Sequence, residues 1–352
     1  MLSGRNEMHK RAKSRNRNQN LDRFLSRGFA LGLLLLVACS AQGEVQEPES
    51  VNPPIQQTPN LDPVPTHEST QEGSSTVNDQ IDKVVGDPEM YEEEAVAIED
   101  QAPTLLPADW MNWPVIPLAT NTAIEIYNRG LALGNNPSAF SKFGDCQNIP
   151  SMFLSAFDDP SSFSLGEEYG YLQEAIEWFS GSYARESQAV RAGFNAASVV
   201  SPLWADPEIC EVGESPLDCE VRLHKPSFAL ISLETWWAGD PEAYEKYVRE
   251  IIEKMINYEI VPIITTKADN LEGDHRINAT LARLAFEYDI PLWNFWRAVQ
   301  PLHNNGLWED GFHLTYAFNH FDNSQSMKAA WPWRNLTALQ TLDAVWRGVT
   351  DS

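Results

Sequence analysis

Two short runs in this chain carry the residue types of acyl chemistry: Gly144-Asp145-Cys146 and, far along the sequence, Asp310-Gly311-Phe312-His313. A glycine, a short acid and a cysteine in a row suit a tight turn at a helix start. Backbone N–H groups there lower a thiol pKa and hold the nucleophile clear of the chain. An acid and a histidine three apart share one turn, so the acid can orient the imidazole and the imidazole can take the thiol proton. Between the two runs lies Val190-Arg191-Ala192-Gly193-Phe194-Asn195, where a glycine beside an asparagine invites a backbone donor role.

These residues need a scaffold, and the apolar patterning supplies one. Phe140 to Phe143 reads as the strand that delivers Cys146, and Ser227 to Leu233 as a strand covered on both faces. Ile260 to Thr266 and Ile290 to Asn294 are two more. Between and around them, Asn121 to Leu133, Leu172 to Phe179, Pro241 to Ile256, Arg276 to Tyr288 and Asn335 to Trp346 have helical spacing. Strands alternating with helices of this length indicate an α/β domain, a mostly parallel sheet sandwiched between helices. The working loops of such a sheet lie beyond the carboxyl ends of its strands, which is where Cys146, Asp310 and His313 fall.

The bulk properties narrow the function. The chain has 352 residues, 43% of them hydrophobic, and a net charge of −25, enough for a sizeable core. Its first 38 residues are basic, so the remainder is more acidic still, which excludes a phosphate-binding face and with it a nucleic-acid partner. Gly28 to Ala38 is an apolar run too short for a comfortable membrane span. It ends in Leu36-Val37-Ala38-Cys39-Ser40, which looks like a bacterial lipobox, so residues 1–38 read as a lipoprotein-type signal peptide and Cys39 as the lipidated first mature residue. A retained signal anchor and an ordinary cleaved signal peptide are the alternatives, and the long basic stretch before the apolar run leaves the start codon open. Residues 39–104 are Pro-, Gln-, Ser- and Thr-rich and acidic, an expected disordered tether between the membrane surface and a folded domain over 105–352. Cys210 and Cys219, in a segment that reads as a loop, are expected to form a small disulfide staple or to be buried thiols.

The order of these pieces resembles the SGNH hydrolases, the GDSL-like esterase and lipase family, over roughly residues 138 to 347. The resemblance rests on Gly144-Asp145-Cys146, on Asp310-Gly311-Phe312-His313-Leu314, and on Gly193 in the region of the family's middle glycine. It implies a flavodoxin-like three-layer α/β sandwich and an ester hydrolase. Cys146 would stand where the family has its nucleophilic serine, with His313 as base, Asp310 as orienting acid, and the N–H groups of Cys146 and Gly193 in the oxyanion hole. The family's Gly-x-Asn-Asp falls here on Glu234-Thr235-Trp236-Trp237, so the oxyanion asparagine becomes Trp236, a single donor, with Glu234 opposing a developing negative charge. Loss of one such donor costs about 3 kcal/mol in hydrolases, roughly a hundredfold in rate. Asn195 and Lys267 are the candidate replacements, and Lys267 beside Asp269 is equally readable as a surface pair.

No metal or cofactor is expected. His303 and His320 flank His313 without a metal-binding spacing, and Asp158-Asp159 lacks the repeated oxygen ligands of a calcium loop. Most of Trp293, Phe295, Trp296, Trp308, Trp331 and Trp333 should be core, and those in loops near Asp310 are candidates to line a sugar or acyl cleft. The leading expectation is a membrane-anchored extracytoplasmic acyl-ester hydrolase, a carbohydrate O-deacetylase or small-ester esterase. A catalytically silent carbohydrate- or peptide-binding lipoprotein and a thiol-dependent acyltransferase are the rivals. The oligomeric state is left open.

Overall fold

The computed structural model describes residues 105–233 and 240–351. The signal segment with Cys39, the tether, and Glu234 to Trp237, with Trp236 among them, lie outside the described residues. In chain order the first half contains α1 (Asn121–Leu133), β1 (Asn136–Gly144), β2 (Phe163–Ser164), α2 (Gln173–Trp178), α3 (Ala196–Val200) and α4 (Pro216–His224). The second half contains β3 (Pro226–Ser232), α5 (Pro241–Asn257), β4 (Val261–Thr265), α6 (Arg276–Tyr288), β5 (Leu292–Trp293), α7 (Phe295–Val299), β6 (Asn319–His320) and α8 (Ala330–Thr350).

Local chemistry starts and stops these elements. The Thr120 hydroxyl accepts the Ala123 N–H to open α1, which ends at Gly134 in the left-handed conformation that glycine tolerates. Ser215 and Asp218 form a reciprocal capping box on α4, with Pro216 at its first position. Asp240 caps α5, whose Tyr244, Val248, Ile251, Ile252 and Met255 fall on one buried face.

The main sheet is parallel, in the order β1-β3-β4-β5. Every residue of β3 is buried, and alternate side chains enter different cores. Phe228 and Leu230 pack with residues of α1, α2 and α8, while Ala229 and Ile231 pack with residues of α3 to α6. This is an α/β fold with a parallel central sheet between two helical layers. On the far side of β1, Gly144 forms a parallel bridge with Val190. The chain therefore leaves β1 toward one edge and returns across it to β3, and the strand order reverses where Gly144 ends, the position at which such sheets open a crevice.

The differences from the sequence expectations are local. Cys219 lies within α4 rather than in a loop, and it is joined by a disulfide to Cys210, with Cα atoms 5.3 Å apart. The apolar residues Leu217 and Val221 recur at helical spacing there, but the surrounding Pro and Glu mask the signal. The strand at Ile290 to Asn294 shortens to β5, because Asn294 caps α7. The last helix starts at Ala330, earlier than Asn335, since its first turn is buried by Trp331 packing under the 315–321 segment. Among the described residues no helix is long and apolar enough to cross a membrane.

Candidate active site

At the end of β1 the chain turns sharply, and each residue of Gly144-Asp145-Cys146 has a distinct reason to be there. The Asp145 carboxylate accepts the Gln147 N–H at 2.8 Å and caps a short 3-10 turn, Cys146–Asn148, so the cysteine opens a turn as its residue type suggested. Gly144 must lack a side chain, because a Cβ there would lie 2.1 Å from the Asn148 carboxamide. That carboxamide fills the space and donates from Nδ2 to the Ser232 carbonyl at 3.0 Å, tying the turn to the end of β3. Asn148 is buried, and its Oδ1 has no hydrogen-bond partner among the described residues. Cys146 is partly exposed and not in a disulfide.

The Gly193 loop lies alongside this turn. Gly144 donates to the Ala189 carbonyl at 3.0 Å and accepts from the Arg191 N–H at 3.3 Å. Gly193 itself has φ +84° and open space where a side chain would be, and its N–H makes no hydrogen bond among the described residues. Asn195 is different. Its Oδ1 accepts both the N–H and the hydroxyl of Ser198, at 2.9 and 3.0 Å, so it is the cap of α3, and the amide donor of this side chain is its Nδ2.

Lys267 is neither an oxyanion donor nor a surface pair. It is 3% exposed, and its Nζ donates to Asp269 at 2.6 Å and to Glu272 at 2.5 Å. Its backbone N–H and carbonyl are both bound by the Asn278 carboxamide. Burial pushes the Asp269 carboxyl up against the opposing pull of Lys267. Two adjacent charged residues cannot reveal from sequence that Glu272 and Asn278 will close over them.

Asp310 and His313 do meet. His313 Nδ1 and Asp310 Oδ2 are 2.6 Å apart, and Asp310 Oδ1 accepts the N–H groups of Phe312 and His313 at 3.0 Å. Partial burial pushes the Asp310 carboxyl up, but the hydrogen bonds from His313 and the two backbone N–H groups outweigh it and hold the group below the usual carboxylate range. With Asp310 ionised, Nδ1 must carry the proton, leaving the Nε2 lone pair as the basic site. Nε2 is buried and has no hydrogen-bond partner among the described residues, so no bond to Cys146 is formed in this state.

The N-terminal turns of α8 connect the two halves. Thr315, two residues past His313, accepts the Ala330 N–H on its hydroxyl at 2.9 Å and the Trp331 N–H on its carbonyl at 3.0 Å. Within one further turn, roughly 5 Å along the axis, Arg334 donates from Nη2 to the Ser232 hydroxyl at 2.8 Å. Ser232 is the register partner of Gly144. Arg334 is fully buried, its guanidinium against the rings of Phe153, Trp293 and Phe295 at 4.9 to 5.4 Å. Neither Arg334 nor Asn148 was singled out from sequence. An arginine between the tryptophans and leucines of the last helix was the available signal for the first, and Asn148 had none.

Of the tryptophans near Asp310, Trp293 and Trp331 are core, as is Phe295, and Trp308 is exposed. Two further exposed rings beside the histidine turn, Tyr316 and Phe318, line a cleft of about 590 Å³. A second cavity, of about 610 Å³, lies at the opposite edge of the sheet, where its charges pair internally as Arg222 with Glu214 and Lys254 with Asp218. The cluster Cys210, Glu214 and Cys219 there has both sulfurs in the disulfide and so cannot ligate through them. No protein-family model matches the chain, and no curated protein is similar to it.

Proposed function

We propose that this protein is a thiol-dependent acyl-ester hydrolase on a flavodoxin-like, SGNH-type sandwich. The observation that carries the reading is the Asp310–His313 pair, with one imidazole nitrogen held by the carboxylate and the other left without a partner among the described residues. It sits two residues from the Thr315 anchor that α8 links to the end of β3. The strand order, with Val190 beside β1 and β3 beyond, supports that reading, since Cys146 follows β1, where the order reverses.

In the reaction, His313 Nε2 takes the Cys146 proton and the sulfur attacks the acyl carbonyl. The N–H groups of Cys146 and Gly193 receive the oxyanion, and the departing alcohol takes the proton back from His313. Water, activated by the same nitrogen, then cleaves the thioester. An acceptor alcohol in place of water would make the protein an acyltransferase, with no change in the first half-reaction. The chain would act outside the cytoplasmic membrane, anchored through Cys39, and the Cys210–Cys219 disulfide fits an oxidising compartment.

The test is acylation of the full chain by activated short-chain esters, followed by intact mass. One acyl group on Cys146 that is then released should appear in the parent, and Cys146→Ala and His313→Ala should each lower turnover about a thousandfold. An inert Cys146, or acylation that ignores His313→Ala, overturns the reading. A binding-only protein on the same scaffold is favoured by one observation: Lys267, one of the two candidate substitutes for the oxyanion asparagine, is buried with its ammonium on Asp269 and Glu272. It would show ligand binding with no acyl adduct.

A further inference from the structure

In the segment that follows His313, Tyr316, Phe318 and His320 recur on every second residue, and ring contacts join each to the next. The rings form a row. Tyr316 and Phe318 have centroids 5.9 Å apart and meet edge to face, and Phe318 and His320 are stacked at 6.1 Å. Tyr316 is 53% exposed and Phe318 is 68% exposed, more than isolated core-forming rings would be. They border the cleft of about 590 Å³, whose opposite wall is the chain that follows Cys146, carrying Ser151, Ser155, Asp159, Ser161 and Ser162.

Both walls are pinned from below. The Asn335 carboxamide donates to the Met152 carbonyl at 3.2 Å and to Asn319 Oδ1 at 3.0 Å, and accepts the Leu154 N–H at 2.7 Å. At the far end β2 pairs with β6. The cleft is thus preformed, with an aromatic side and a hydroxyl side, and no lysine or arginine lines it. Asp159 accepts from the hydroxyls of Ser161 and Ser162 at 2.7 and 2.8 Å, and those bonds hold its carboxyl below the usual range, so it is an acceptor at neutral pH.

This combination selects a ligand chemistry. An anionic polymer would meet a carboxylate and no cation. A purely aliphatic chain would strip water from the serine hydroxyls and from Asp159 without replacing their hydrogen bonds. A sugar ring satisfies both walls, since its C–H face is apolar and its hydroxyls donate and accept. We infer that the Tyr316–Phe318–His320 row and the facing serine wall form a binding cleft for a neutral oligosaccharide. The cleft lies between the segments that directly follow Cys146 and His313. That a bound glycan offers its O-acyl group to Cys146 rests on the acyl-hydrolase reading, whereas the binding itself does not.

The experiment is calorimetric titration of full-length Cys146→Ala with chitohexaose, cellohexaose, xylohexaose and mannohexaose, repeated on that variant carrying Tyr316→Ala and Phe318→Ala. Both rings are exposed, and circular dichroism checks that the fold persists. At least one hexaose should bind at submillimolar concentration, and the double substitution should weaken it at least tenfold. No binding of any hexaose at millimolar concentration, or binding unchanged by the double substitution, overturns the inference. Hexaose binding by a protein whose Cys146 proves inert to activated esters would retain the cleft and discard the hydrolase. Ester turnover without hexaose binding would do the reverse.

Discussion

Lys267-Ala268-Asp269 and Asp310-Gly311-Phe312-His313 look alike as sequence, each setting an acid and a base within one turn of chain at the carboxyl edge of the sheet. Their surroundings differ. Lys267, Asp269 and Glu272 are buried together, the ammonium is shared by two carboxylates, and Asn278 binds the Lys267 backbone on both sides. The His313 side chain is 26% exposed and that of Asp310 49%, one ring nitrogen is held, and the other has no partner among the described residues. A buried ammonium held by two carboxylates is a structural element, while a ring nitrogen without a partner among the described residues has hydrogen-bonding capacity left over.

Breaking the closed network should have a large effect. Lys267→Met leaves two buried carboxylates without a counter-charge and should cost about 3–5 kcal/mol in urea unfolding, with ester turnover per folded molecule unchanged. A loss of stability below about 1 kcal/mol would erase the contrast. Asp310→Asn should do the opposite. It should slow Cys146 acylation roughly 10- to 100-fold by releasing the imidazole from its tautomer, and shift stability by less than about 1 kcal/mol because the pair is half in solvent. Acylation kinetics and unfolding measured on the same preparation separate these outcomes.

Lys142 sharpens the comparison from a third side. It is buried on β1 and donates to the Tyr183 carbonyl at 2.7 Å, and the Asp158 and Glu186 charges oppose its loss of the proton only weakly. Burial, and then the nearby Arg185 charge, push it down from 10.5 to about 7. The folded protein releases this proton where the unfolded chain still holds it, so stability should rise with pH between about 7 and 10.5. Lys142→Met should flatten that rise, a difference of up to about 5 kcal/mol over the full window, read by thermal unfolding across the range. An identical slope in parent and variant would show that the ammonium is solvated and that burial alone does not distinguish these sites.

Much of the scaffold was legible in the sequence. The all-apolar β3, the one-sided periodicity of α5, and the caps Thr120 and Asp240 act through neighbours a few residues away, so spacing alone specifies them. The Asp310–His313 hydrogen bond belongs to the same class, since an acid and a histidine three apart meet whenever the chain turns between them. The Gly144 requirement was legible in type but not in cause, which is the Asn148 carboxamide filling the place of a side chain.

The sealing of Lys267 was not legible in the sequence. Availability depends on whether partners such as Glu272 turn toward the group, and burial is a property of the packed fold. The Tyr316 and Phe318 row was missed because tryptophan content drew attention to other rings, of which Trp293, Phe295 and Trp331 are core.

Sequence by itself determined the main strands and the longer helices around them, and that an acid and a histidine share a turn, because those contacts span a few bonds of chain. Tertiary structure alone decided that Arg334 reaches Ser232, that Lys267 is sealed among carboxylates, and that the segments after Cys146 and His313 face each other across one cleft. These meetings join residues up to roughly half the chain apart, and the packing of α8 and the sheet that brings them together is encoded in no single stretch.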